Sequence, residues 1–252
     1  MEGTITSSIN NGIGTITFFH PQSNSMPGTQ LRNLAAEIEK LGKDDQVKVI
    51  VLQSEGDKTF CAGASFDELI SIKDIDTGLK FFSGFALVIN AMRKAPKFVI
   101  ARVQGKAVGG GVGIAASADY TFATEASSVK LSELAVGIGP FVVGPAVERK
   151  VGTSAFCQLT INATEWQSAS WAREKGLYAE VFATIADMDK GIETLAGRLA
   201  GSNPEAMSML KKVMWEGTEN WDTLLIERAG MSGKLVLSDF TVNAINKFKQ
   251  KA

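Results

Sequence analysis

Histidine is almost missing from this chain: the one present, His20, stands beside Pro21 in a turn-like segment. A serine or cysteine triad would depend on that single ring, so histidine-based catalysis is disfavoured and a turn or surface role suits His20. Cysteine is scarce too. Cys61 and Cys157 lie far apart, in no CxxC pair and at no metal-ligand spacing, which leaves buried free thiols and no metal site as the expectation. Charge of one sign is lacking, since 26 basic and 27 acidic residues are interspersed to a net −1. Binding to nucleic acid or anionic lipid is disfavoured. No apolar run reaches membrane-spanning length, and Met1-Glu2-Gly3-Thr4-Ile5 lacks the basic segment and apolar core of a secretory signal. A cytoplasmic protein with no membrane partner is expected.

Two nucleotide-binding signatures are missing as well: GxGxxG does not follow the first strand, and GxxxxGK[ST] does not occur. A nicotinamide dehydrogenase and a nucleotide hydrolase are therefore disfavoured. What is present is ordinary globular composition, 45% apolar and 21% charged over 252 residues. That suits one sizeable core, ordered nearly throughout.

Periodicity predicts strands over 5–10, 14–19 and 47–53. A helix over 28–42 separates the last two, with Leu31, Leu34, Ile38 and Leu41 at helical spacing. A second cycle follows, with a helix over 81–93, a strand over 97–103, a helix over 110–118 and short strands over 120–123 and 128–130. Such alternation favours α/β layering. After about residue 163 strand signals nearly vanish, and helices are expected over 168–175, 188–200, 204–216 and 223–237. The division expected is a core of residues 1–190 and a carboxy-terminal helical region of residues 191–252. Trp215, Trp221, Leu224, Met231 and Leu235 give that region an apolar surplus, which either core packing or a subunit interface would explain.

Two Gly-rich turns are the strongest chemical signals, each at the end of a strand and each leading into a helix. The first is Phe60-Cys61-Ala62-Gly63-Ala64-Ser65-Phe66-Asp67-Glu68-Leu69; the second runs from Gln104 to Gly113 through Gly109-Gly110-Gly111. Small residues let the backbone approach a ligand, and a helix start offers unpaired N–H groups. Taken singly, either turn would also be explained by close helix-to-strand packing.

Taken together, the turns and the segments after them resemble the crotonase superfamily, the enoyl-CoA hydratase/isomerase family. The resemblance rests on Phe60-Cys61-Ala62-Gly63-Ala64, Gly105 to Gly111, Ala118-Asp119, Ser132-Glu133-Leu134 with Gly137 and Pro140, and Ala169 to Leu177. It implies an α/β spiral of ββα units with a helical trimerisation region, assembling as a homotrimer or homohexamer. It also implies an acyl-CoA substrate, with no cofactor beyond the coenzyme A of the substrate itself.

By the same resemblance, the N–H groups of Ala64 and Gly110 converge on the thioester carbonyl oxygen and Glu133 serves as acid/base. Ala62, Gly63, Phe66, Gly109, Gly113, Phe141 and Val142 are implied to line the substrate site. Preorganised donors at an oxygen that gains charge are worth about 3–4 kcal/mol each. The family's hydratases carry a second glutamate where this chain has Gly113, and losing a carboxylate costs hydration about 10²–10⁴ in rate. One carboxylate suffices for shuttling a proton between the α and γ carbons, so enoyl-CoA isomerisation is favoured, with hydration and non-catalytic acyl-CoA binding as rivals.

Other segments depart from the family pattern. Ser65 stands where the motif has an acidic residue, with Asp67 further on, and capping or solvation suits both. Phe141, Val142 and Val143 should narrow the acyl pocket. Glu148 is the spare carboxylate nearby, with a salt bridge to Arg149 or a lysine as its expected use. For the coenzyme, the resemblance points to residues 23–26 and 59–64, and to Lys247 or Lys251 for the phosphates.

Overall fold

The computed structural model describes residues 3–249. It opens on a hairpin of β1 (Thr4–Asn10) and β2 (Ile13–Phe19), paired antiparallel. Asn11 and Gly12 both take positive φ at its turn, the backbone that matches strand twist in a two-residue loop. In α1 (Gly28–Lys43) the apolar stripe seen in the sequence is buried throughout.

The chain then repeats a unit of two strands and a helical segment. The first unit is β3 (Val49–Ser54), β4 (Thr59–Cys61), α2 (Phe66–Ser71) and α3 (Ile75–Lys94). The second is β5 (Val99–Val103), β6 (Lys106–Val108) and α4 (Gly110–Ser117). The third is β7 (Tyr120–Thr124), β8 (Ser128–Lys130), a 3-10 turn at Glu133–Val136 and α5 (Gly144–Ile161). After it come β9 (Gln167–Ser168), α6 (Ala169–Glu174), β10 (Glu180–Phe182) and α7 (Ile185–Ala200). The last helices are α8 (Pro204–Met214), α9 (Trp221–Leu235) and α10 (Asp239–Lys249).

The first strand of each unit joins a six-stranded sheet ordered β1-β2-β3-β5-β7-β10, and the second joins a four-stranded sheet ordered β4-β6-β8-β9. Pairing is parallel except for β1 with β2 and β8 with β9. Successive side chains of a strand face opposite sides of its sheet. In β3, accordingly, Ile50 and Leu52 join the core formed with α1 and α3, while Val49 and Val51 pack with Met188, Ile192 and Ala196 of α7. A parallel sheet buried on both faces explains why β3 reads as an unbroken apolar run.

This topology sets up the site. Because β4, β6 and β8 are parallel neighbours, their carboxyl ends share one edge of the small sheet. The segments leaving them are the first Gly-rich turn, the second Gly-rich turn and the run to Glu133.

Asp119 ties the carboxy-terminal helices to this core. Its carboxylate accepts from the Val99 N–H at 2.7 Å and from Trp215 Nε1 at 2.7 Å, and pairs with Lys211 Nζ at 2.8 Å. Lys211, 2% exposed, also donates to the carbonyls of Met92 and Lys97.

Several expectations need correction. Strand signals do not vanish after residue 163, for β9 closes the small sheet and β10 the large one; three residues or fewer leave no period to detect. The helix α5 has no counterpart in the periodicity, because Gly152, at φ 76° and ψ 160°, breaks it in two. His20 is in a turn but buried, its Nδ1 3.0 Å from Ser25 Oγ. Cys61 is buried, whereas Cys157 is exposed on α5.

Candidate active site

The first turn offers a backbone donor by the alternation of a β ladder. The loop at Met26 pairs with Ala64 as a parallel bridge: Met26 N–H donates to Gly63 O at 2.7 Å, and Ser65 N–H donates to Met26 O at 3.3 Å. Ala62 N–H goes to Ser23 O and Gly63 N–H to Cys61 Sγ. Neighbouring N–H groups along a strand point to opposite sides, so that of Ala64 turns away from the loop. It has no acceptor among the described residues. Asn24 holds the loop there, accepting from His20 N–H and donating to the carbonyls of Glu55 and Thr59.

The second turn offers another donor by a different route. Gly109 N–H donates to Lys130 O at 2.8 Å, pinning the end of β6 to that of β8. Gly110 then begins α4, where a helix leaves its first N–H groups unsatisfied. Gly109 itself takes φ 51° and ψ −118°, a region open to glycine. A β-carbon built on Gly63 would lie 3.3 Å from the Gly110 nitrogen, so the two turns are in contact.

Glu133 completes the group from the third turn. A β-carbon on Gly109 would stand 3.0 Å from its Oε1 and 3.6 Å from its Oε2. The residue as a whole is half-buried, but its carboxyl group is enclosed, and Oε2 has no hydrogen-bond partner among the described residues. Loss of hydration disfavours the ionised form and pushes its pKa up to about 7, with the residue's own backbone N–H opposing the rise.

Ala64, Gly110 and Glu133 border one cavity of about 70 Å³. Ala62, Gly63, Phe66, Gly109, Phe141 and Val142 also line it, as does Val143. Gly113 does not. A β-carbon there would meet Val143 Cγ1 at 2.4 Å and Val143 Cβ at 2.5 Å, so Val143 stands between that position and the cavity. Glu148 is not on the cavity either; it accepts from the Thr153 hydroxyl at 2.7 Å and forms no ion pair among the described residues. Ser65 caps α2 by accepting from Glu68 N–H, and Asp67 accepts from Gln22 Nε2 at 2.6 Å.

Some wall residues carried no signal in the sequence. Phe82 and Phe85 of α3 and Ser232 of α9 line the cavity, yet all three read as ordinary helix. Phe85 packs so closely that its Cε1 would lie 2.1 Å from a β-carbon on Gly110. Of the residues named for the coenzyme, Asn24, Ser25 and Met26 are buried in the loop, and Lys247 is exposed on α10. Lys251 lies outside the described residues.

A cavity with two unclaimed N–H donors and one carboxyl group of raised pKa can hold an anionic oxygen while a proton is moved nearby. Comparison with known proteins shows the family. A short-chain-enoyl-CoA hydratase of Clostridium acetobutylicum is 27% identical over 242 residues, covering 95% of this chain and 92% of its own. A peroxisomal Delta(3,5)-Delta(2,4)-dienoyl-CoA isomerase of Arabidopsis thaliana is 27% identical over 197 residues, covering 72% and 69%. The crystal structure of an enoyl-CoA hydratase from Bacillus halodurans superposes with a TM-score of 0.89 at 17% identity, covering 96% of this chain and 99% of that one, so the two share the fold. The family model for enoyl-CoA hydratase/isomerase matches residues 8–243, and the chain belongs to that family, the crotonase superfamily.

Proposed function

We propose that this enzyme moves the double bond of a short enoyl-CoA thioester, with Glu133 as the one acid/base. The observation that carries this is one enclosed carboxyl group, alone on the cavity among the described residues, beside the N–H groups of Ala64 and Gly110, which have no acceptor among those residues. Those donors would receive the thioester oxygen as it gains negative charge. Ionised Glu133 takes a proton from the α carbon, the dienolate is held by the two N–H groups, and the protonated carboxyl returns the proton at the γ carbon. A pKa near neutrality suits both halves, since each form is then populated at neutral pH.

Hydration needs a second group to hold and deprotonate water. Among the described residues no other carboxylate lines the cavity, and Val143 covers the Gly113 position. Incubation of the protein and its Glu133→Gln variant with 3-enoyl-CoA and 2-enoyl-CoA tests the assignment. Double-bond migration lost in Glu133→Gln is expected. Water addition would favour the hydratase, and tight binding without turnover a non-catalytic protein.

A trimeric or hexameric assembly through the carboxy-terminal helices belongs to the same proposal. It is supported by the apolar outer face of α8, where Met209, Leu210, Val213 and Met214 are exposed. Light scattering should give three or six times the chain mass, and Leu210→Asp should lower it. A cytoplasmic location is proposed as well; among the described residues no helix is long and apolar enough to cross a membrane.

A further inference from the structure

Among the described residues lining the acyl cavity, Ser232 alone comes from the last four helices. It sits on α9 where that helix meets α3 at near backbone contact: a β-carbon on Gly78 would lie 2.8 Å from the Gly233 α-carbon. This wall is separate from the strand ends that carry Ala64, Gly110 and Glu133.

Ser232 is only 2% exposed, and its hydroxyl has no hydrogen-bond partner among the described residues. A buried hydroxyl on a helix can turn back to a carbonyl one turn earlier. The buried Ser117 of α4 does so at 2.8 Å, and Ser232 does not. Ser232 instead lines a cavity walled largely by aromatic and aliphatic side chains, among them Phe82, Phe85 and Phe141, with Ser132 and Glu133 as its other polar side chains among the described residues. A hydroxyl that lines a cavity without a protein partner is available to a ligand that brings one.

We propose that Ser232 is a specificity-determining residue which hydrogen-bonds a neutral oxygen on the acyl chain, beyond the carbons that react. The substrate class that follows is a short enoyl thioester bearing a hydroxyl, ether or keto oxygen in its tail. The tail is neutral because, among the described residues, no lysine, arginine or histidine lines the cavity to pair with a carboxylate. It is short because the space is about 70 Å³. This inference rests on the acyl-thioester reading above, and binding separates the two.

Saturated thioesters are the probes, since they have no double bond to move. Calorimetric titration would compare pentanoyl-CoA with its isosteres 4-hydroxybutanoyl-CoA and 3-methoxypropanoyl-CoA, on the wild type, Ser232→Ala and Ser232→Cys. The wild type should bind at least one oxygenated probe about fivefold more tightly than pentanoyl-CoA. Ser232→Ala should abolish or reverse that preference, and Ser232→Cys, which keeps the volume but donates poorly, should reduce it. If all three probes bind the wild type equally, or the preference survives in both variants, the role of Ser232 is refuted while the thioester site stands. If no thioester binds, the thioester reading fails and this inference with it.

Discussion

The Glu133 carboxyl group rests against the bare α-carbon of Gly109, so closely that a β-carbon there would stand 3.0 Å from Oε1 and 3.3 Å from Cδ. Gly109 therefore does two things with one missing side chain. Its positive φ turns the end of β6 into α4, which frees the Gly110 N–H, and its empty face leaves room for the base. The Gly110 donor is thus fixed next to the glycine against which the Glu133 carboxyl group, arriving from the turn after β8, comes to rest.

Gly109→Ala should damage both functions. The added methyl must displace the carboxyl group, and a shift of about 1 Å costs roughly 10² in rate. Forcing a side chain into that backbone region costs about 1–3 kcal/mol. A fall in kcat/KM of that order is expected, with a lower unfolding midpoint; a variant with unchanged activity would rule out the placement of Glu133.

The raised pKa of Glu133 has a signed consequence for stability. The folded state holds its proton up to about pH 7, whereas the unfolded chain releases it near 4.5. Between those values the native state binds more protons, so stability is full below pH 4.5 and declines as pH rises through 7. The total is on the order of 3 kcal/mol. Glu133→Gln should remove that decline, making the variant the more stable protein above pH 7 in urea titrations although it is the less active one.

Isomerisation should show the matching rate profile. Because the ionised carboxylate begins the reaction, kcat/KM should climb with pH through a midpoint near 7. A flat profile between pH 5 and 9 would mean that another group takes the proton.

Restoring a second glutamate requires two changes. Gly113→Glu alone places its β-carbon 2.4 Å from Val143 Cγ1, and overpacking of this kind costs about 1–3 kcal/mol. The single variant should be less stable and gain no hydration of 2-enoyl-CoA. With Val143→Ala added, hydration should appear. If the single variant hydrates as well as the pair, Val143 is not the obstacle.

The Lys211–Asp119 pair should prove structural. Lys211→Met leaves Asp119 buried with only its Val99 and Trp215 donors, which should cost about 3–5 kcal/mol by urea unfolding. Adding Asp119→Asn should recover part of the loss, since the buried charge is then gone.

The local features of this protein were legible from its residues in order. Alternating and helical periodicities located β1 to β3, α1 and the later helices, and two glycine clusters marked two of the turns that border the cavity, while Glu133 was singled out by the family resemblance. These signals are local, because period and residue size are properties of a short window. Short strands such as β9 and β10, and the interrupted helix α5, fell below that window. The tertiary structure alone decided which side chains meet. Parallel pairing of β4, β6 and β8 brings three distant turns to one edge, closes Val143 over Gly113, encloses the Glu133 carboxyl group and carries Ser232 from α9 to the same cavity. Each of those outcomes depends on burial and on contact between segments far apart in the chain, and neither quantity has a value until the sheets and helices have packed.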